Sequence, residues 1–437
     1  MSASKTDSSP ASRREIFSWA MYDFANSGYT TVVLTAVFNA YFVSVIVGGG
    51  ADSSGTATLL WTIATAITNI IVLASAPVLG AIADHGAHKK RFLALTTVGC
   101  VLFTALLGWV GPGDVALAMT LVILSNLMYS SGENFIAAFL PEIAKPEDMG
   151  RISGYGWSLG YIGGLLVLAL CLGYIEWGRS FGQTAAQYVP PTMWITAAMF
   201  GLAALPTFLW LRERATAQPL ALGEGYFRIG FKRVAETFRQ ARHYRDLFRF
   251  LVTLAVYYCG IHTVIVLAAI YAQEVMGFTM RDNIVLILVV NVTAAIGAFG
   301  FGLIQDRLGS ARTLIITLMI WIGALITAYL VDSRAGFWVV ANLVGISLGS
   351  SQSAGRALVG QFSPPERAAE FFGLWGLAGK LASVIGPLTY GVITYVSHGD
   401  HRLALLSTTA FFIVGLALLM TVDERRGRRA ATENSLV

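Results

Sequence analysis

This sequence is short of charge. Asp, Glu, Lys and Arg make up 13% of its 437 residues, about half the share found in an ordinary soluble chain. That shortage excludes a water-soluble globular protein and points to lipid as the main solvent, since 55% of the residues are hydrophobic. Cysteine is scarce as well. Cys100, Cys171 and Cys259 stand singly in apolar runs, with no metal-ligand spacing between any pair, and read as small core residues. No phosphate-binding glycine loop, nucleotide fingerprint or converging nucleophile and base is present, so neither an ATP-driven pump nor an intramembrane enzyme is expected, and no metal or cofactor. The net charge of +5 is spread over short loops rather than gathered in an aromatic-interleaved patch, which argues against nucleic acid as a partner. The polar start, MSASKTDSSPASRREIF, leads into the first apolar run without a small-residue cleavage site, so no removed signal peptide is expected.

What the chain does have is apolar length. Stretches of about 20 residues or more, long enough to cross ~30 Å of hydrocarbon at 1.5 Å per residue, fall near 17–47, 58–83, 92–111, 114–140, 152–175, 191–211, 247–273, 283–305, 311–331, 335–357, 368–396 and 402–422. Twelve spans of an all-α polytopic membrane protein are therefore expected. The one long soluble piece among them divides the chain into a tail (1–16), a six-helix bundle (17–211), a linker (212–246), a second six-helix bundle (247–422) and a closing tail (423–437). In the linker, Phe227, Phe231, Val234 and Phe238 recur at helical spacing among Arg228, Lys232, Arg233, Arg239 and Arg242, the pattern of an amphipathic helix resting on lipid headgroups. Lys and Arg crowd the tails and the even-numbered loops, which places both termini in the cytoplasm, with the bacterial plasma membrane suggested by the short loops.

The halves repeat each other. GAIADHGAHKKR at 80–91 and GLIQDRLGSAR at 302–312 bring Gly80 over Gly302, Asp84 over Asp306 and Asn69 over Asn291 at a common offset of 222. Later, Pro146 falls over Pro365, Gly154 over Gly373 and Gly160 over Gly379 at an offset of 219. Preserved order of this kind is the mark of a duplicated bundle.

Gly302, Asp306, Arg307 and Gly309 spell G-x-x-x-D-R-x-G, which resembles the loop signature of the major facilitator superfamily; in the first copy His85 stands where the arginine would be. Within that superfamily, WAMYDFANSGYTTVVLTAVFNAYF, FLPEIAKPEDMGRISGYGWSLGYIGG and EFFGLWGLAGKLASVIGP resemble the vacuole-effluxer-type permeases, related to the fungal autophagy-linked amino-acid exporter. The resemblance covers nearly the whole chain. It implies the major facilitator fold, secondary transport by alternating access, and amino acids as the substrate class of the fungal relatives. Its loop aspartates imply gating roles for Gly80, Asp84, Gly302, Asp306 and Arg307, against orientation of the loops alone. Gly160-Tyr161-Ile162-Gly163-Gly164 is similar to the superfamily's antiporter motif except that Tyr161 replaces the proline. Tight packing by a Gly156, Gly160, Gly164 ridge explains those glycines equally well.

Ionised side chains at mid-bilayer cost roughly 2.5 to 3.5 kcal/mol on insertion scales and usually face protein or water. The third, sixth, ninth and twelfth stretches have none inside. Polar residues gather instead at Asp23, Asn26, Asn69, Glu133, Asn134, His262, Asn291, Gln352, Arg356 and Lys380, as a water-filled central pathway requires. Asp23, Asn26 and Thr30 share one helical face, where Asp23 either accepts a proton or caps and packs near the headgroups. Lys380 either binds an anionic group of the substrate, such as a carboxylate, or forms a fixed pair with Glu133 or Asp23. Glu133 is either a protonatable coupling group or the salt-bridge partner of Arg356. His262, four residues after Tyr258, reads as a hydrogen-bonded interior histidine before a proton relay. A carrier of a small polar solute, with a proton as the candidate coupling ion and membrane lipid around it, is the expectation. The alternative is a scaffold or receptor that has kept a transporter's shape.

Overall fold

The computed structural model describes residues 11–48, 54–215 and 226–433. Residues 1–10 and 434–437 of the expected tails, and 216–225 of the linker, lie outside the described residues. Among the described residues there is no strand, and twelve long helices, called spans 1 to 12 in chain order, make up the body: Arg13–Ile46, Ser54–Gly86, Lys89–Leu106, Val115–Ala137, Met149–Ser180, Ala185–Trp210, Arg245–Met276, Met280–Leu308, Ser310–Leu330, Arg334–Phe362, Ala368–Val396 and His401–Leu419. Eleven are long and apolar enough to cross a membrane. Span 10 is as long but carries Ser347, Ser350, Ser351, Gln352, Ser353 and Arg356. Its second half is walled in by protein, so it has no lipid-facing surface to keep apolar.

Helix boundaries follow from capping. Span 1 starts at Arg13, inside the expected tail, because Ser12 and Glu15 form a reciprocal capping box. Span 8 opens the same way on Thr279 and Asp282. Span 1 then departs from a regular α-helix. Val37 donates to the Val32 carbonyl at 3.0 Å and Val47 to that of Phe42 at 3.1 Å, so Thr30–Ala36 and Phe42–Ile46 are wound in wider π-type turns.

Spans 1 to 6 pack as one bundle and spans 7 to 12 as another. The halves meet along span 2 against span 11, span 5 against spans 8 and 10, and span 4 against span 11; spans 3, 6, 9 and 12 stay on the outside. The glycines of span 5 set one close approach. Gly163 lies on the Phe24 carbonyl, Gly160 on Ser27 and Gly164 on Thr31, so the ridge seats span 1, a neighbour in the same half. The first and last described helices begin and end at one end of the bundle, called the terminal face, where Arg214 pairs with Glu15 at 3.0 Å and Arg426 with Asp246.

One device recurs in both halves without any alignment to announce it. Glu213, after span 6, accepts the Lys89 and Lys90 backbone N–H groups at 2.7 and 3.1 Å, and Glu424, after span 12, accepts those of Ser310 and Ala311 at 3.3 and 3.0 Å. Each carboxylate caps the positive end of the third helix of its bundle.

The linker helix, Tyr226–Arg239, forms, and the face it turns to the protein is not that of the phenylalanine spacing. Ile229, Gly230, Arg233 and Thr237 are buried, and Gly230 sits on Val78 and Ile82 of span 2, while Phe231 is 63% exposed. The expected side-chain contacts of Phe227 and Phe238 lie outside the described residues. On the face turned to the protein, Arg233 and Thr237 find polar partners at the bundle end.

Candidate functional site

The polar residues separate into a paired floor and an unpaired interior. At the floor, the Asp23 carboxylate of span 1 meets Arg356 of span 10 at 2.7 Å, an ion pair between the halves with both side chains nearly sealed from solvent. Arg356 is held on every side. Its Nε donates to the Ser153 hydroxyl at 3.1 Å and Nη2 to the Ser153 carbonyl at 3.0 Å, while Trp19 and Trp157 stand against its guanidinium at 4.6 and 5.3 Å. Gly156 makes room, since a Cβ there would collide with the Asp23 carboxylate and the Arg356 guanidinium. Arg356 is therefore Asp23's partner, and the alternative pairing of Arg356 with Glu133 is not made.

Above this floor, Tyr161 of span 5 donates its hydroxyl to Gln352 of span 10. Tyr161 lies twelve residues into its helix, ~18 Å from the terminal end. Among the described residues, every hydrogen bond or ion pair between the two bundles lies at this level or nearer the terminal face. The bonds between the halves among the described residues are thus gathered toward the terminal face.

Glu133 of span 4 and Lys380 of span 11 come from opposite halves, and each is half-buried. Neither end group has an ion pair or hydrogen bond among the described residues, so the fixed pairing of Lys380 with Glu133 or Asp23 is not made. Both nevertheless lie inside the bundle. Lys380 feels Glu133 electrostatically, and Glu133 feels Lys380, Asp23 and Arg356. Gly376 lies directly on the Asn134 amide, which brings span 11 onto span 4 one turn below Lys380. Asn134 is buried with its Nδ2 unpartnered, and Asn26 is buried with its Oδ1 unpartnered. His262 lies edge-on to Tyr258 at 5.9 Å and close enough to Lys380 to feel its charge. Its ring makes no hydrogen bond among the described residues, contrary to the hydrogen-bonded reading.

Two expected members sit apart. Asn291 donates to the Ile287 carbonyl of its own helix at 2.8 Å, an intrahelical bond that satisfies the amide locally. Asn69 is half-buried on span 2 and makes no side-chain bond among the described residues.

The terminal face has two equivalent seams between the halves. At the first, Asp84 accepts the backbone N–H groups of Ala369 and Glu370 at 3.1 and 2.9 Å, at the start of span 11. Lys89 lies 3.6 Å from Asp84 and pairs with Glu142. Gly80 lies against the Ala369 carbonyl and Gly373 against that of Ala76, which leaves no room for a side chain at either crossing. At the second seam Asp306 accepts the Arg151 N–H at 3.0 Å, at the start of span 5, and Gly302 lies on Gly150 and Gly154. Arg307 is the exception. It is exposed and makes no ion pair among the described residues, because Asp306 is engaged by the Arg151 backbone and side chain instead. Beneath the first seam Arg233 faces Asp84 and Glu370; burial pulls its pKa below the ordinary arginine value and the two carboxylates oppose that pull.

Sequence reasoning missed Trp19, Trp157, Ser153, Glu142 and Glu370. Glu142 and Glu370 stood in the quoted strings FLPEIAKPEDMGRISGYGWSLGYIGG and EFFGLWGLAGKLASVIGP, where a carboxylate beside a helix start was a visible signal.

Comparison with known proteins agrees with this fold. The family described as "Vacuole effluxer Atg22 like" matches residues 43–432. The MFS-type transporter YxiO of Bacillus subtilis (strain 168) is 29% identical over 411 residues, 93% of this chain and 94% of that protein. Autophagy-related protein 22-1 of Penicillium rubens is 23% identical over 439 residues, covering 80% of this chain and 72% of the relative. Among solved structures, the human organic anion transporter MFSD10 (TETRAN) superimposes with a TM-score of 0.72 at 14% identity, over 94% of this chain and all of that one. The proton:xylose symporter XylE gives 0.71 at 15% identity, over 95% and 97%. At such identities the two structures speak for the fold alone.

Proposed function

Since the chain belongs to the Atg22-like vacuole effluxer family of major facilitator transporters, we propose that the solute it carries is an amino acid, bound between Glu133 and Lys380 and moved by alternating access with a coupled proton. The observation that carries this reading is the pair of opposite charges, one from each half, that face each other inside the bundle with no ion pair or hydrogen bond among the described residues. A carboxylate on Lys380 and an ammonium on Glu133 would satisfy both at once, with Asn134 and His262 beside them. Such a solute joins the halves, so its binding favours their closure over it. A charge-assisted contact of this kind is worth about 1.5–3 kcal/mol, enough to shift a two-state carrier by one to two orders of magnitude.

Opening the terminal face then requires the bonds between the halves to break, among them Asp84 to span 11, Asp306 to span 5, Gln361 to the Pro146 carbonyl, and Arg356 to Ser153 and Asp23. The Asp23 tie is the proposed entry of the proton. Protonating Asp23 removes the charge that holds Arg356, and leaves only the Ser153 hydrogen bonds and the two tryptophan contacts, all on the first half, for Arg356 to give up as the halves part. The other gating contacts, at Gly80, Gly302 and Arg307, belong to the same proposal, with Arg307 reduced to orienting its loop. In this reading the terminal face, where the basic loops fall, is the cytoplasmic one, and the short loops suit the bacterial plasma membrane.

The test is transport of a radiolabelled amino-acid panel into proteoliposomes, with and without a pH gradient. Saturable accumulation that grows with the gradient supports the reading; no transport of any panel member, with labelled protein correctly inserted, overturns it.

A further inference from the structure

The linker helix occupies a position that a tether does not need. It runs under the seam between spans 2 and 11, and its buried residues, Ile229, Gly230, Arg233 and Thr237, reach both halves of the protein. From the first half it holds span 2: Gly230 packs on Val78 and Ile82, and Arg233 lies 3.5 Å from the His85 ring. From the second half it holds the start of span 11. Arg233 donates to the Glu366 carbonyl at 3.3 Å, the Thr237 hydroxyl donates to Glu370, and Arg367 donates to Gln240, in the turn that follows, at 3.0 Å.

Two further facts bear on what this packing does. The gate is pseudo-symmetric, with Asp84 at one seam and Asp306 at the other, yet among the described residues the linker helix packs on span 2, at the first seam. That seam also buries more charge. Glu370 is fully buried close to Asp84, and Arg233 is a cation facing both carboxylates. Pulling spans 2 and 11 apart leaves Arg233 able to follow one half and not both, so one buried carboxylate loses a countercharge.

We propose that the linker helix is a detachable strap that locks the terminal gate, and that its release from one half is a step of every transport cycle. The inference stands on the packing of the linker and holds whatever solute is carried.

The experiment uses the full chain in lipid nanodiscs with spin labels on Lys145→Cys and Arg312→Cys, two exposed positions on opposite halves of the terminal face and away from the strap. The three native cysteines are buried. Pulsed electron resonance reads the populations of the closed and open terminal gate. Arg233→Ala, and separately the milder Thr237→Val, should raise the open-to-closed ratio, by on the order of tenfold for the arginine, whose hydrogen bonds are charge-assisted. Arg228→Ala, on the exposed face, should leave the ratio unchanged. Should Arg233→Ala fail to fold, Arg233→Lys with Thr237→Val gives the same readout. Unchanged distance distributions in every strap variant that folds, or an equal shift from Arg228→Ala, would overturn the proposal.

Discussion

Replacing Gly80 by alanine adds a single methyl group, and the closed gate has nowhere to put it. The new Cβ would be driven into the Ala369 carbonyl and would stand 2.9 Å from the Glu370 nitrogen. Both obstacles are backbone, so no side chain can swing aside. The cost falls on the closed state, because the contact exists only while spans 2 and 11 touch. Overpacking of this kind costs about 1–3 kcal/mol, which is roughly a 5- to 150-fold shift toward the open terminal face. Moving span 11 away also lengthens the two hydrogen bonds that Asp84 accepts, adding to the shift. The gain in helix propensity from Gly to Ala is common to both states and cancels. Distances between labels at Lys145→Cys and Arg312→Cys measure the outcome, with Gly173→Ala as the control, since a Cβ there meets nothing within 4 Å. Equal distance distributions for Gly80→Ala and Gly173→Ala would refute the view that this crossing seals the gate.

Two further outcomes follow from the floor and the caps. Arg356→Ala or Asp23→Ala alone strands a buried charge and should lower the melting temperature sharply, by an amount on the scale of about 3–5 kcal/mol; the double variant should melt above either single one, and simple additivity in that cycle would mean that the two groups do not interact. Glu213→Ala and Glu424→Ala should each cost about 0.5–2 kcal/mol, the usual loss for a helix cap, and by similar amounts; thermal unfolding in detergent reads both, and a loss confined to one half would show that the two caps are not equivalent.

The bundle was largely legible in the sequence because lipid enforces a simple rule. Each crossing needs about 20 apolar residues, and the chain punctuates them with short polar loops. The exception, span 10, shows the rule's physical basis, since a span shielded by protein needs no apolar surface. The gate was half legible: Gly80, Asp84, Gly302 and Asp306 repeat at a fixed offset, but their partners are backbone N–H groups, which carry no sequence signature. Side-chain partnerships were the least legible. Asp23 lies more than 300 residues from Arg356, and nothing local distinguishes Arg356 from Lys380 as its mate. The spacing of Phe227, Phe231, Val234 and Phe238 was real, yet apolar periodicity could not register that Arg233 and Thr237 on the other face had partners waiting at the gate. Asn291 repeats Asn69 in sequence, but a bond to the Ile287 carbonyl turns it back onto its own helix. The π-type turns of span 1 had no glycine or proline to mark them.

The most direct measurement is exchange of a radiolabelled neutral amino acid across proteoliposomes holding the unaltered chain or Lys380→Ala, at equal protein and without any ion gradient. The unaltered chain should exchange label saturably. Lys380→Ala should bind it about 10- to 150-fold more weakly, the loss of one charge-assisted contact, and show no exchange at micromolar solute. Equal exchange by the two proteins would contradict a solute held between Glu133 and Lys380.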